Sequence, residues 1–178
     1  MAINKKKKKF FEVDMPIINR QTQIFAFDIS ELDNKFINYD LTRILRGKSV
    51  LMQLKTKVEN EKATATPTQI TLMPYFIRRM IRKGTDYVED SFSAECEDAQ
   101  LKIKPFLITR RKVSREIKKA LREKAKEEII QYIKDKSSEK IFDSILKNKL
   151  QKDLSLILKK IYPLSLCEIR VLKVEKKK

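Results

Sequence analysis

The chain is expected to fold as an α+β protein: a small, mostly antiparallel β-barrel with packed α-helices, a helical C-terminal half and a final returning strand. Three observations support this. Apolar and polar residues alternate in short runs between Phe10 and Thr109, as in strands with one buried face. From Ser114 to Tyr162 the apolar spacing changes to three and four, as in helices with one buried stripe. After Pro163, Leu166–Val174 (LCEIRVLKV) returns to strand-like composition. Strands, then helices, then a strand is an α+β order. Closure into a barrel would leave no free edge on six or so short strands.

Phe10–Pro16 (FFEVDMP) enters the fold, and Gln23–Ile29 and Lys35–Asp40 alternate like strands. Ser49–Val58 and Thr66–Met73 read as a hairpin around the polar Glu59–Thr64 turn. Pro74 suits the first turn of a short helix. There Phe76, Ile77, Met80 and Ile81 share one face, and Arg78, Arg79, Arg82 and Lys83 the other, with Gly84 as its C-terminal stop. Tyr87–Glu97 and Gln100–Thr109 form two strands around an acidic turn, Glu97-Asp98. Ser114 caps the next helix, and Ser137 or Ser138 caps a second with Ile141, Phe142, Ile145 and Leu146 inward. Leu154, Ile157, Leu158 and Ile161 continue the pattern in a third. The expected organisation is a disordered basic arm (1–9), one domain (10–175) and a basic tail (176–178). Within the domain, 10–112 is strand-rich, 113–162 helical and 166–174 the last strand. There is no internal repeat and no long Ser/Gly linker.

Charge narrows the function. The chain has 178 residues, 41 Lys+Arg against 24 Asp+Glu, and a formal charge of +17. The lysine runs at 5–9 and 176–178 hold eight of these charges, so +9 remains on the body. Repulsion of this size is tolerable beside a polyanion. With no His, no imidazole base, His metal ligand or Ser-His-Asp arrangement is possible. The only glycines, Gly47 and Gly84, exclude a P-loop and a dinucleotide fingerprint. No run of about 18 apolar residues spans a membrane. The basic N-terminus leads into no apolar segment, so no secretory signal is expected. Cys96 and Cys167 form no CxxC pair and read as free buried thiols in a reducing compartment. No catalytic residue, metal, cofactor or small-molecule substrate is expected.

The candidate RNA-binding residues are Lys5, Lys6, Lys7, Lys8, Lys9, Arg43, Arg46, Lys48, Arg78, Arg79, Arg82, Lys83, Arg110, Arg111, Lys112, Arg115, Lys118 and Lys119. The lysine run could be only a solvated tail, and Arg78–Lys83 only an exposed helix face. The expected helix over 74–83, however, holds no acidic residue of its own, so its cations repel one another. Arg110, Arg111 and Lys112 stand at a strand–helix joint, where loops carry function. Arg115, Lys119, Arg122 and Lys126 form a row, but Glu116, Glu123 and Glu127 flank it and weaken its claim. Glu95, Glu97 and Asp98 could imitate an acid/base pair, although exposed alternating positions explain them more simply. Phe10, Phe11, Tyr39 and Phe92 could stack on bases; their apolar strand patterns favour a core role for most of them.

Four stretches resemble the archaeal and eukaryotic small-subunit ribosomal protein S-one-e family, which is unrelated to the bacterial protein of similar name. They are the lysine arm leading into KKFFEVDMP, IRKGTDYVED from Ile81, KPFLITRRKVSREIKKALREKAKEEI from Lys104, and KKIYPLSLCEIR from Lys159. The resemblance covers nearly the whole chain. It implies a β-barrel with packed helices on the platform of the small subunit, near the messenger exit. It also implies cytoplasmic ribosomes as the location, with small-subunit ribosomal RNA, neighbouring platform proteins and messenger RNA as partners. The chain departs from the family pattern in Phe10-Phe11, where members often carry Trp-Tyr, and in a short, Gly-poor segment between Pro16 and Val50. Its Lys/Ile-rich composition and short tails resemble archaeal members. The competing classes are a non-ribosomal RNA-binding protein and a protein–protein scaffold built on the helices after Ser137.

Overall fold

The computed structural model describes residues 7–45, 47–59 and 62–175. Lys5, Lys6, Arg46, the tip of the expected 59–64 turn and the 176–178 tail therefore lie outside the described residues. The chain forms two compact units, one within residues 1–39 and 52–68, the other within 40–51 and 69–178.

In the first unit, β1 (Lys9–Met15) and β2 (Arg20–Ala26) form a hairpin in continuous register from Lys9↔Ala26 to Met15↔Arg20. Pro16 opens the single helical turn between them, and Asn19 closes it at φ 52, a left-handed conformation that Asn tolerates. Val13, Met15 and Ala26 point inward, so Phe10, Phe25 and Glu12 point outward. β3 (Phe36–Asp40) pairs with β4 (Val50–Glu59), which pairs with β5 (Lys62–Leu72). Met52, Leu54 and Thr56 alternate inward along β4, as the period of two requires. The buried Thr56 hydroxyl is satisfied by the carbonyls of Leu32 and Lys35. One parallel contact, Val13↔Ala63 and Asp14↔Thr64, joins β1 to β5.

In the second unit, α1 (Pro74–Met80) follows β5, and β6 (Tyr87–Glu89) and β7 (Phe92–Glu95) follow α1. Both short strands pair with one edge of β8 (Gln100–Thr109), whose other edge pairs with β9 (Leu164–Glu175). Gln69–Thr71 of β5 pairs with the far edge of β9. Between β8 and β9 in sequence lie α2 (Arg115–Lys134), α3 (Ser138–Leu146) and α4 (Lys149–Leu158). Their inward stripe is Leu121, Ala125, Ile129 and Ile133, then Ile141, Phe142 and Ile145, then Leu150, Leu154 and Leu158, all buried. Each Leu, Ile or Phe of this stripe contributes about 1.5–3 kcal/mol on burial, so the stripe, and not surface charge, holds the helices to the sheet. No helix among the described residues is long and apolar enough to cross a membrane.

The α+β class stands, but closure does not. The strands run in the order β2-β1-β5-β9-β8-β6, with β3, β4 and β7 off that path. No pairing among the described residues joins its ends, so the expected barrel is an open sheet. The expected strand 87–97 is two. Its register on β8 is unbroken and sets Asp90 opposite Pro105. Pro105 has no N–H to give the ladder, and prolines inside sheets are confined to edges and bulges. The β8–β9 register also shifts at Lys104/Pro105. The expected 74–83 helix ends at Met80, because Ile81 is extended. Gly84 does not cap that helix. Its φ of 87 serves the later Arg82–Thr85 turn, a conformation for which glycine is suited.

Candidate nucleic-acid interface

Arg82, Lys83, Gly84 and Thr85 form a turn in which Thr85 N–H donates to the Arg82 carbonyl (3.2 Å) and the Thr85 hydroxyl to the same carbonyl (2.7 Å). The next residue ties this turn to the end of β8. Thr109 N–H donates to the Asp86 carbonyl (2.9 Å), and the Thr109 hydroxyl accepts from Asp86 N–H (3.1 Å). That hydroxyl also lies 2.7 Å from the Arg111 carbonyl. The Asp86 carboxylate accepts from Val113 N–H (3.0 Å) and pairs with Lys118 at 2.9 Å. Lys118 and the Val113 N–H hold its carboxyl below the usual carboxylate range. Two basic segments distant in sequence, Arg82-Lys83 and Arg110-Arg111-Lys112, are thereby fixed side by side. Ser114 then caps α2 by accepting from Ile117 N–H (3.4 Å).

The cations differ in how they are held. Arg78, Arg79, Arg82, Lys83, Arg110, Arg111 and Arg115 are all exposed. Among the described residues none of them forms a salt bridge. Arg78 and Arg79 lie on α1, but Arg82 and Lys83 lie past its end, so the expected four-cation helix face is divided. Arg43 is exposed and acts on Asp40. Lys112 is exposed and acts on Asp86. Lys119 reaches Glu123 at 3.8 Å. Lys7, Lys8 and Lys9 are exposed, Lys9 as the first residue of β1.

Lys48 and Lys118 need correction as free phosphate ligands. Lys48 Nζ lies 2.5 Å from Glu168 and 2.8 Å from Asn148 Oδ1. Its side chain is only 15% exposed and that of Glu168 12%, so its charge is neutralised inside the fold. Lys118 is taken by Asp86.

Burial also sorts the aromatic residues. Phe92 is buried, while Phe11 and Tyr39 are half-buried. Phe10 is the exception to the core role expected for most of them, at 69% exposed. Phe25, Phe27 and Phe36, not singled out by sequence, are exposed too. A signal was present: outward positions of a strand carrying Phe instead of a polar residue. Cys96 and Cys167 are free and buried. Burial, and then Glu168, push the Cys167 thiol up to about 12. Glu95 and Glu97 are exposed, and Asp98 accepts from Ser138 N–H (3.3 Å) at the start of α3. Among the described residues no three His, Cys, Asp or Glu side chains cluster as metal ligands do.

A comparison with curated proteins gives no match. Residues 4–178 match the family described as the Ribosomal S3Ae family, and the chain therefore belongs to that family of small-subunit ribosomal proteins.

Proposed function

We propose that this chain is a structural RNA-binding component of the small subunit, neutralising ribosomal RNA phosphates through Arg78, Arg79, Arg82, Lys83, Arg110, Arg111, Lys112 and Arg115. One observation carries the reading. The carboxylates that do form ion pairs take other cations, as in Lys48–Glu168, Lys118–Asp86 and Lys124–Glu128. The exposed arginines at the Asp86–Thr109 junction have no such partners among the described residues. Family membership supports the same reading and its finer parts: a place on the platform near the messenger exit, and contact with neighbouring ribosomal proteins. Exposed Leu156 and Ile161 at the end of the helical layer suit a protein neighbour. Because folded RNA hides its base edges in a deep groove, specificity comes from RNA shape, and the fixed junction sets the register.

The test is a salt titration of full-length chain on small-subunit ribosomal RNA. With about six phosphates engaged, log K falls against log salt with a slope of about 4–5 in magnitude. A flat response overturns the proposal.

A further inference from the structure

The outward face of the β1–β2 hairpin is aromatic at one end and polar at the other. Phe10 and Phe25 are direct cross-strand partners, with ring centroids 4.8 Å apart and planes 42° from each other. They are 69% and 52% exposed. Phe27, just past β2, is 39% exposed. Lys8 Nζ stands 5.7 Å from the Phe25 ring centroid and 5.1 Å from that of Phe27. Farther along, the outward residues become Glu12 opposite Gln23 and Asp14 opposite Gln21. Three cations, Lys7, Lys8 and Lys9, thus stand at the aromatic end where the chain enters the fold, against one exposed cation, Arg20, at the other.

Three exposed rings forgo several kcal/mol of burial, and such patches mark interaction sites. The exposed ring surface is roughly 300 Å², well below the ~800 Å² per partner of a stable protein interface. A cation lying over two of the rings adds the second half of a single-strand binding surface: π-faces for bases and positive charge for the backbone.

We propose that Phe10, Phe25 and Phe27 form a stacking platform for unpaired RNA bases, with Lys8 contacting the phosphates between them and Glu12 and Asp14 directing the backbone away from the polar end. This rests on the RNA-binding reading above and extends it from folded, paired RNA to an unpaired segment.

The experiment uses full-length chain and two fluorescent probes: an unstructured oligouridylate of about eight nucleotides and a fully paired RNA hairpin. Phe10→Ala and Phe25→Ala each weaken oligouridylate binding by roughly five- to 150-fold, the range that stacking one base on one ring supplies, and leave hairpin binding unchanged. Phe25→Leu keeps an apolar side chain without a ring and loses affinity all the same. Phe25→Trp, the only tryptophan in the chain, binds oligouridylate and is quenched by it. If the ring variants bind oligouridylate as the parent does, while Arg110→Gln with Arg111→Gln weakens the hairpin, the platform is wrong and the RNA reading survives. If neither probe binds at low salt, both fail. If Phe25→Ala abolishes binding to a small-subunit protein and leaves oligouridylate binding intact, the rings serve a protein partner and the proposal is overturned.

Discussion

The Asp86 backbone and the Thr109 residue hold each other from both sides. Thr109 N–H donates to the Asp86 carbonyl at 2.9 Å, and Asp86 N–H donates to the Thr109 hydroxyl at 3.1 Å. Thr109 is fully buried, so this pair fixes the 82–85 turn against the strand end that carries Arg110 and Arg111. Thr109→Val keeps the shape and leaves Asp86 N–H without its acceptor. It should cost about 1–3 kcal/mol, read by urea denaturation.

Asp86→Asn raises the net charge, so simple electrostatics expects tighter RNA binding. The structure predicts the opposite: a several-fold loss at fixed salt, because the carboxylate no longer positions Val113 and Lys118. The pH dependence has a definite sign. The carboxyl is held below its ordinary 3.8, so its contribution to stability is present above that value and lost as pH falls through the lower folded value. The difference in melting temperature between parent and Asp86→Asn should therefore shrink below about pH 3.8.

Two ion pairs with similar chemistry should differ in worth. Lys48–Glu168 is largely enclosed, with side chains 15% and 12% exposed, whereas Arg170–Glu89 is 40% and 37% exposed. Lys48→Met strands a carboxylate and should cost about 3–5 kcal/mol, with Glu168→Leu in the same chain restoring much of it. Arg170→Met should cost about 0–1 kcal/mol. Equal losses in chemical denaturation would contradict the burial difference. Neither variant should alter the salt slope of RNA binding.

Arg110→Gln and Arg111→Gln should each lower the magnitude of the salt slope by about 0.7–0.9, one phosphate's worth, without changing the melting temperature. An unchanged slope in both would remove the strand–helix joint from the RNA surface.

The Cys167 thiol, held up to about 12 against an ordinary 9.0, is neutral at pH 8 and should resist iodoacetamide until the chain unfolds. Its contribution to stability is present below pH 9 and lost as pH rises through about 12. Cys167→Ala should flatten the loss of stability across that window.

The helices were legible because their apolar residues repeat at three and four, and Ser114 marks the start of α2. Strand positions were legible from alternation, but strand ends were not. Pro105 divided one expected strand by withholding an N–H from a neighbour distant in sequence. The IRKGTD stretch held a turn signal at Gly84, yet apolar spacing favoured prolonging α1.

By itself the sequence determined the α+β class, the basic surface and the family, because composition, periodicity and motifs are local properties of a chain. Tertiary structure alone decided that the sheet stays open, that Lys48 faces Glu168 instead of solvent, and that Phe25 stands beside Phe10 in the open. The physical reason is that pairing and burial depend on what folds back against a residue. A lysine is a phosphate ligand or an internal counterion according to whether a carboxylate 120 positions away reaches it first.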